Sequence, residues 1–381
     1  MSKRQRKARL PDQPVRVTIE SLAHDGRGVA RVEGKTVFVD GALPGEEVSF
    51  LYTRRARKHD EGRVSELHSV SVHRVEPKCA AFAICGGCSL QHLAPEQQIL
   101  AKQQTLLDNL QRIGKVEPAG WLEPLGGPVW HYRRRARLAV KDVYAKERVL
   151  VGFRERHAPF ITDMHRCEVL AEPASSLIGP LSDMIGKLSI RARLPQIEVA
   201  VADNAVALVF RVLDAPTDED VAVLTAFARE QGVRVYLQPG GPDTVQLLWP
   251  QQSSLSYHLP ALDVEIRFRP TDFTQVNTAI NEQMIERVLQ LLALQQQDQV
   301  LDLFCGLGNF TLPMARLAGA VTGVEGEAGL LPFPVAEPAD ARGQPLEGHP
   351  VLCLAGPAGQ SLVLGEQLGD DPVGDRVGAH R

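Results

Sequence analysis

Val300-Leu301-Asp302-Leu303-Phe304-Cys305-Gly306-Leu307-Gly308-Asn309-Phe310, followed by Val321-Thr322-Gly323-Val324-Glu325, is the stretch that decides the C-terminal fold. It reads as strand, glycine turn, helix and second strand ending in a carboxylate, the opening of a doubly wound sheet that binds an adenosine-containing cofactor. Gly306 and Gly308 let the backbone approach a ligand closely, and the helix start near Asn309 offers unpaired N–H groups. A dinucleotide site would carry a third glycine at position 311, where Thr311 stands. Glu325 lies 17 residues beyond Gly308, a spacing that suits a carboxylate accepting from ribose hydroxyls. With no pyrophosphate to hold, S-adenosylmethionine fits this turn better than NAD.

Upstream, Asp272-Phe273-Thr274-Gln275-Val276-Asn277 opens an amphipathic helix expected over Asn277 to Gln295, with Ile280, Met284, Val288, Leu291 and Leu292 on one stripe. Downstream the chain changes character. From Gly326 to Arg381 it is dense in Gly and Pro and contains no Lys, Ile, Asn, Thr, Met, Tyr or Trp. This restricted alphabet reads as an out-of-frame or disordered tail. A sheet cut after two strands leaves unpaired edges, so residues 277 to 381 are expected to be poorly folded or aggregation-prone.

The length of 381 residues implies several domains. No apolar run reaches the ~20 residues that span a bilayer, and the N-terminus lacks a signal-peptide core, so a cytoplasmic, membrane-free protein is expected. The net charge of -4 hides an asymmetry. Residues 1 to 167 carry 29 Lys and Arg against 19 Asp and Glu, and the remainder 13 against 27. A basic front half points to polyanion contacts there, through tracts such as Lys3-Arg4-Gln5-Arg6-Lys7 and Arg54-Arg55-Ala56-Arg57-Lys58.

Residues 14 to 67 alternate β-branched residues between turns, as expected of five short strands in an OB-like barrel. Within it, Asp25-Gly26-Arg27-Gly28-Val29-Ala30 and Val39-Asp40-Gly41-Ala42-Leu43-Pro44-Gly45 resemble a TRAM domain, an RNA-binding accessory of RNA-modifying enzymes. Cys79, Cys85 and Cys88 then form C-x5-C-x2-C, and Cys167 is the remaining candidate for a fourth ligand. Spacing alone leaves Zn2+ and a [4Fe-4S] cluster both open. A helix expected over Pro95 to Ile113, with Ile99, Leu106, Leu110 and Ile113 on one side, should pack beside the cysteines. Residues 68 to 270 otherwise read as a central mixed α/β domain.

The Phe273-Thr274-Gln275-Val276-Asn277 run, the glycine motif, the four cysteines, Trp130-His131-Tyr132-Arg133-Arg134-Arg135-Ala136-Arg137-Leu138 and the TRAM-like barrel together resemble the RNA uracil-C5 methyltransferases. Within that family they are most similar to the branch acting on uracil-1939 of 23S rRNA. The resemblance implies a multidomain architecture: a basic tail over 1–13, an OB-like TRAM barrel over 14–67, a central α/β domain over 68–270 with an iron–sulfur cluster, and an incomplete Rossmann-like methyltransferase domain over 271–326. It implies a [4Fe-4S] cluster on Cys79, Cys85, Cys88 and Cys167. It further implies that Gln275, Phe304, Asn309 and Glu325 line the S-adenosylmethionine site, with 23S rRNA as partner and no obligate protein partner. Arg133, Arg134, Arg135 and Arg137 are candidates for phosphate contacts.

In this family a cysteine thiolate adds to uracil C6, the C5 enolate takes the methyl group, and a carboxylate removes the C5 proton. The nucleophile lies in an S-C-N-P motif that is absent here, and Cys353 in Val351-Leu352-Cys353-Leu354-Ala355 has no Asn-Pro after it. No catalytic residue is therefore assigned. Two other classes compete: a non-catalytic iron–sulfur RNA-binding protein, and a TRAM-bearing radical methylthiotransferase. The latter is weakened because its C-x3-C-x2-C spacing is missing.

Overall fold

The computed structural model describes residues 10–326, together with the backbone of residues 351–355 and 361–364. Two compact units share the chain. The first comprises Met1–Pro124, Ala139–Glu168 and Ser175–Asp183, the second Leu125–Leu138, Val169–Ala174 and Met184–Arg381. The cysteine segment thus falls in the same unit as the N-terminal barrel, and the stretch expected as a central domain over 68–270 is divided between the two.

In the first unit, β1 (Val15–Thr18), β2 (Ser21–Leu22), β3 (Gly28–Val32), β4 (Lys35–Asp40), β5 (Glu47–Arg55) and β6 (Asp60–Ser69) form one sheet in the order β1-β5-β6-β4-β3-β2. β1 and β2 are successive parts of one bent run. Ile19 N–H bonds Glu46 O and Glu20 N–H bonds Val29 O, so the sheet closes on itself. With β4 and β6 parallel and the other neighbours antiparallel, the topology is that of an OB-type barrel. Ile19, Ala30, Val37, Val39, Val48 and Phe50 fill its interior. Gly62 is required because a Cβ there would lie 2.3 Å from the Phe50 ring. β5 and β6 run longer than the alternation foretold, which places the Arg54–Lys58 tract at the tip of their hairpin; the Lys3–Lys7 tract lies outside the described residues.

Helix α1 (Pro95–Asn109) starts on a proline at its first turn and continues as a π-turn over Leu110–Gly114. None of its residues is fully buried, and Leu106 and Ile113 are exposed. The expected stripe packed beside the cysteines is therefore only half realised: Ile99 and Leu110 alone are partly covered. β7 (Arg135–Val143) enters this unit at Ala139 and pairs antiparallel with β8 (Arg148–Gly152), and α2 (Ile178–Gly186) follows.

The second unit carries β9 (Gln196–Val201), β10 (Val206–Arg211), α3 (Asp218–Gln231), β11 (Arg234–Gln238) and β12 (Gln246–Trp249). They extend the sheet from β7 in the order β12-β11-β10-β9-β7, with β10 and β11 parallel across α3. Thr217 and Asp220 form a capping box at the start of α3. A hairpin of β13 (Leu255–Leu259) and β14 (Val264–Phe268) leads to α4 (Thr278–Leu292), β15 (Gln299–Leu303), α5 (Thr311–Ala315) and β16 (Ala320–Glu325). β15 and β16 are parallel, as the opening motif requires.

Two features differ from expectation. The deepest positions on α4 are Asn281, Ile285 and Leu289, one residue on from the apolar stripe; Leu291 and Leu292 are exposed. Secondly, α4, α5 and β16 share one buried cluster with the rest of the unit, Ile285, Leu289, Leu312 and Val321 belonging to it with Val209 and Phe268. The apolar face of the hairpin supplies cover that a reading of the motif alone does not see. Leu301 and Leu303 on β15 nonetheless remain more than half exposed. In the expected tail, two backbone segments are strands, β17 (Val351–Ala355) parallel to β16 and β18 (Ser361–Leu364) antiparallel to β17; its remainder lies outside the described residues. Among the described residues no helix is long and apolar enough to cross a membrane.

Candidate functional site

The glycine loop forms because three consecutive constraints are met between Phe304 and Gly308. Phe304, Gly306 and Gly308 have φ of +65°, +56° and +86°. Gly adopts such values without penalty, whereas a phenylalanine there stores about 1–3 kcal/mol of strain. Two bonds offset this: Phe304 N–H and Cys305 N–H both donate to Val324 O, at 2.7 and 3.1 Å. Phe304 is 87% exposed, so its ring is presented outward from a strained backbone. Glu325 closes the loop from the end of β16, its Oε2 accepting from Gly306 N–H at 2.9 Å. Thr311, in place of the dinucleotide glycine, is fully buried and donates to Asp302 Oδ2 at 2.6 Å, tying the start of α5 to β15. Cys305 is buried against Gly323, where a Cβ would come within 2.9 Å of its sulfur.

Asn309 does not extend its amide toward open space. Its Oδ1 accepts from Tyr257 Oη and from Asn281 Nδ2, both at 2.9 Å, and its Nδ2 donates to Asn281 Oδ1 at 2.9 Å. Burial holds the Tyr257 phenol well above its usual pKa, so it remains a donor. Gln275 lines a pocket with Arg134, Val201, Tyr257, Phe268, Thr274, Thr278 and Asn281. The structure thus joins Gln275 and Asn309 through shared neighbours, and Phe304 and Glu325 through the glycine loop. Phe304, Asn309 and Glu325 do not themselves line that pocket. Tyr257 and Asn281 were not singled out from the sequence; the available signal was a polar Asn281 inside an apolar helix.

The arginine tract is mostly turned to internal work. Arg134 pairs with Asp203, and Arg137 with Glu198 at 2.8 Å. Arg133 Nε donates to Arg135 O at 2.9 Å. Arg135 donates to the carbonyls of Asp272 and, at 2.8 Å, Pro270. A run of arginines beside a strand predicts positive charge, but not whether carboxylates and carbonyls of the same chain already claim it.

In the first unit, the cysteines lie in a segment fixed by ion pairs. Buried Glu46 accepts from Arg74 Nε at 2.6 Å and Nη2 at 2.7 Å and from Leu43 N–H at 2.7 Å. These bonds hold its carboxyl below the usual range despite burial. Arg156 reaches Asp40 at 2.7 Å and also the carbonyl of Cys88. Gly86 N–H donates to Arg154 O at 2.9 Å, and Gly87 N–H points at the Cys85 sulfur at 3.4 Å. Burial pushes the Cys79 thiol pKa up, with Cys85 and Glu168 adding to it. Cys79, Cys85, Cys88 and Cys167 all lie in this unit, Cys85 and Cys167 buried and the other two partly covered. Among the described residues, no three or more Cys, His, Asp or Glu side chains stand grouped closely enough to hold a metal.

Comparison with known proteins matches two family models: a TRAM domain over residues 10–49, and tRNA (Uracil-5-)-methyltransferase over residues 97–326. The chain is 53% identical over 329 residues to a 23S rRNA (uracil(1939)-C(5))-methyltransferase of Methylococcus capsulatus, covering 86% of this chain and 74% of that one. It is 50% identical over 328 residues to the protein of the same name from Nitrosococcus oceani, covering 86% and 73%. Among solved structures it resembles the Pyrococcus abyssi tRNA (uracil-54, C5)-methyltransferase in complex with S-adenosyl-L-homocysteine. That likeness has a TM-score of 0.60 at 21% identity over 82% of this chain and 74% of the other, and it shows the shared fold. With the glycine loop closed by a carboxylate and the barrel ahead of it, the chain belongs to the RNA uracil-C5 methyltransferase family and carries a TRAM domain.

Proposed function

We propose that this chain acts in S-adenosylmethionine-dependent methylation of uracil C5 in 23S rRNA, at position 1939, in the cytoplasm. The single observation that carries the reading is the glycine loop, braced by Glu325 at 2.9 Å and joined through Asn309 to the walls of the Gln275 pocket. S-adenosylmethionine supplies an electrophilic methyl group on a sulfonium. Phe304 would offer a flat apolar face to the adenine, Glu325 would accept from the ribose, and Gln275 would orient the polar end of the cofactor. Asn309, which joins the loop to the pocket, is proposed to line the cofactor site with them. The barrel, with its Arg54–Lys58 hairpin tip, is proposed as a site of RNA backbone contact.

Cys79, Cys85, Cys88 and Cys167 are proposed to hold a [4Fe-4S] cluster, with Zn2+ as the alternative. By residue type the donor set suits either, with four thiols in one unit, a backbone N–H aimed at the Cys85 sulfur and two glycines that keep side chains off the loop, but among the described residues the thiols are not gathered as a metal would hold them. A cluster with all four irons held by thiolates supplies structural support there.

A second reading is a non-catalytic RNA-binding protein, which the TRAM match over residues 10–49 would serve. The test is incubation with methyl-labelled S-adenosylmethionine and unmodified 23S rRNA. Label at uracil C5 is expected; RNA retention without any transfer would replace the first reading by the second.

A further inference from the structure

We infer that Arg135 is a positioning residue for the cofactor site, acting as a clamp on the segment that carries Gln275. The inference rests on the S-adenosylmethionine reading above and names a residue that the reading does not use. One guanidinium donates to two main-chain carbonyls, those of Pro270 and Asp272, 135 and 137 residues away in sequence. Its neighbours continue the attachment. Arg134 N–H donates to Val276 O at 2.9 Å, and Arg133 forms an antiparallel bridge with Asn277. The Arg133–Arg135 backbone and side chains therefore hold the segment on both sides of Gln275.

The Asp272 carboxylate is turned back onto Arg269, accepting from its backbone N–H at 2.7 Å and from Nε at 3.0 Å, so it does not neutralise Arg135 through a direct bond. Burial lowers the Arg135 pKa, which marks the cost of placing a cation there. Two carbonyls accepting from the two Nη atoms suit the fixed fork of a guanidinium; an ammonium could satisfy one of them well and the other poorly. The clamp also reaches past Gln275. Asn277 caps α4 through its Oδ1 at 3.2 Å from Ile280 N–H, and α4 presents Asn281 to Asn309. Both ends of the proposed site thus depend on where residues 270–277 lie.

The experiment measures binding of S-adenosylhomocysteine by calorimetry to the full chain and to Arg135→Lys and Arg135→Ala, with Arg193→Lys as control, since Arg193 pairs with Asp214 at the surface. Hydrogen exchange of residues 270–281 is followed in parallel. Affinity is expected to fall about tenfold or more in both Arg135 variants. Exchange should rise over 270–281, and added guanidinium should restore part of the affinity of Arg135→Ala. Parental affinity in Arg135→Lys overturns the inference. So does a loss accompanied by uniform exchange throughout the unit and no rescue, because that is a merely structural role. Failure of the parent chain to bind removes the S-adenosylmethionine reading itself, a distinct outcome read from the parent alone.

Discussion

Replacing Asn281 by leucine should destabilise the second unit, although it inserts an apolar residue into the buried stripe of an amphipathic helix. Asn281 is 3% exposed and exchanges two amide bonds with Asn309, both at 2.9 Å. Leucine removes both and leaves the Asn309 Nδ2 group beside an alkyl chain. An unsatisfied buried donor costs about 1–3 kcal/mol, and the net value of the second bond is about 1 kcal/mol. The added apolar surface returns about 1 kcal/mol, so the net loss is about 2 kcal/mol. For a unit of this size that lowers Tm by about 4–8 °C. Differential scanning calorimetry reads the shift, and Tyr257→Phe provides a scale, since it removes one bond of the same set and leaves the amide pair intact. The two changes share Asn309 and should not add. If Asn281→Leu melts at or above the parent temperature, the reciprocal pair contributes nothing and the account of the glycine loop's attachment is wrong.

Two further outcomes follow from the first unit. His92 is buried, its ring nitrogens have no hydrogen-bond partner among the described residues, and its pKa is pushed down to about 4 by burial and by Arg74, with Arg156 adding and Glu46 and Asp40 opposing. Because the unfolded chain protonates first, stability should be constant above pH ~6.5 and fall, by at most about 3 kcal/mol, as pH drops toward 4. His92→Phe should flatten that slope in urea titrations across the window, and an unchanged slope would place the pH dependence elsewhere. For the cysteines, anaerobically purified protein should carry about four irons per chain by elemental analysis, lost in Cys85→Ser; about one zinc and no iron would select the alternative metal.

The barrel was legible because its strands alternate inward and outward residues, and Ile19, Val37, Val39 and Phe50 fill its interior. The length of the β5–β6 hairpin was not, since Arg54, Arg55 and Glu66 lie on solvent-facing strand ends where charge carries no period. The glycine loop was legible from Gly306, Gly308 and Glu325, whose spacing is set by backbone geometry. What failed was the orientation of α4. A count of apolar residues selects Ile280, Met284 and Val288, whereas the helix turns about 100° further to place Asn281, Ile285 and Leu289 inward. The stripe was wrong by one position because one of its three buried members is an amide with a partner 28 residues away.

The same cause explains the arginines. Arg135, partly covered, and Asn281, buried, are polar residues whose partners are distant in sequence, and those partners offset the cost of taking them from water. Their locations are not independent: one holds residues 270–272, and the other, on the helix that follows at Thr278, bonds Asn309 of the glycine loop. Local sequence therefore encodes the proposed cofactor loop, through glycines and a carboxylate. Distant pairings encode where that loop stands, through polar groups that local periodicity would assign to solvent or discard as noise. A variant that keeps the glycine motif intact and severs either attachment should retain the loop's secondary structure and lose its ligand, which is the distinction that the Arg135 and Asn281 substitutions draw.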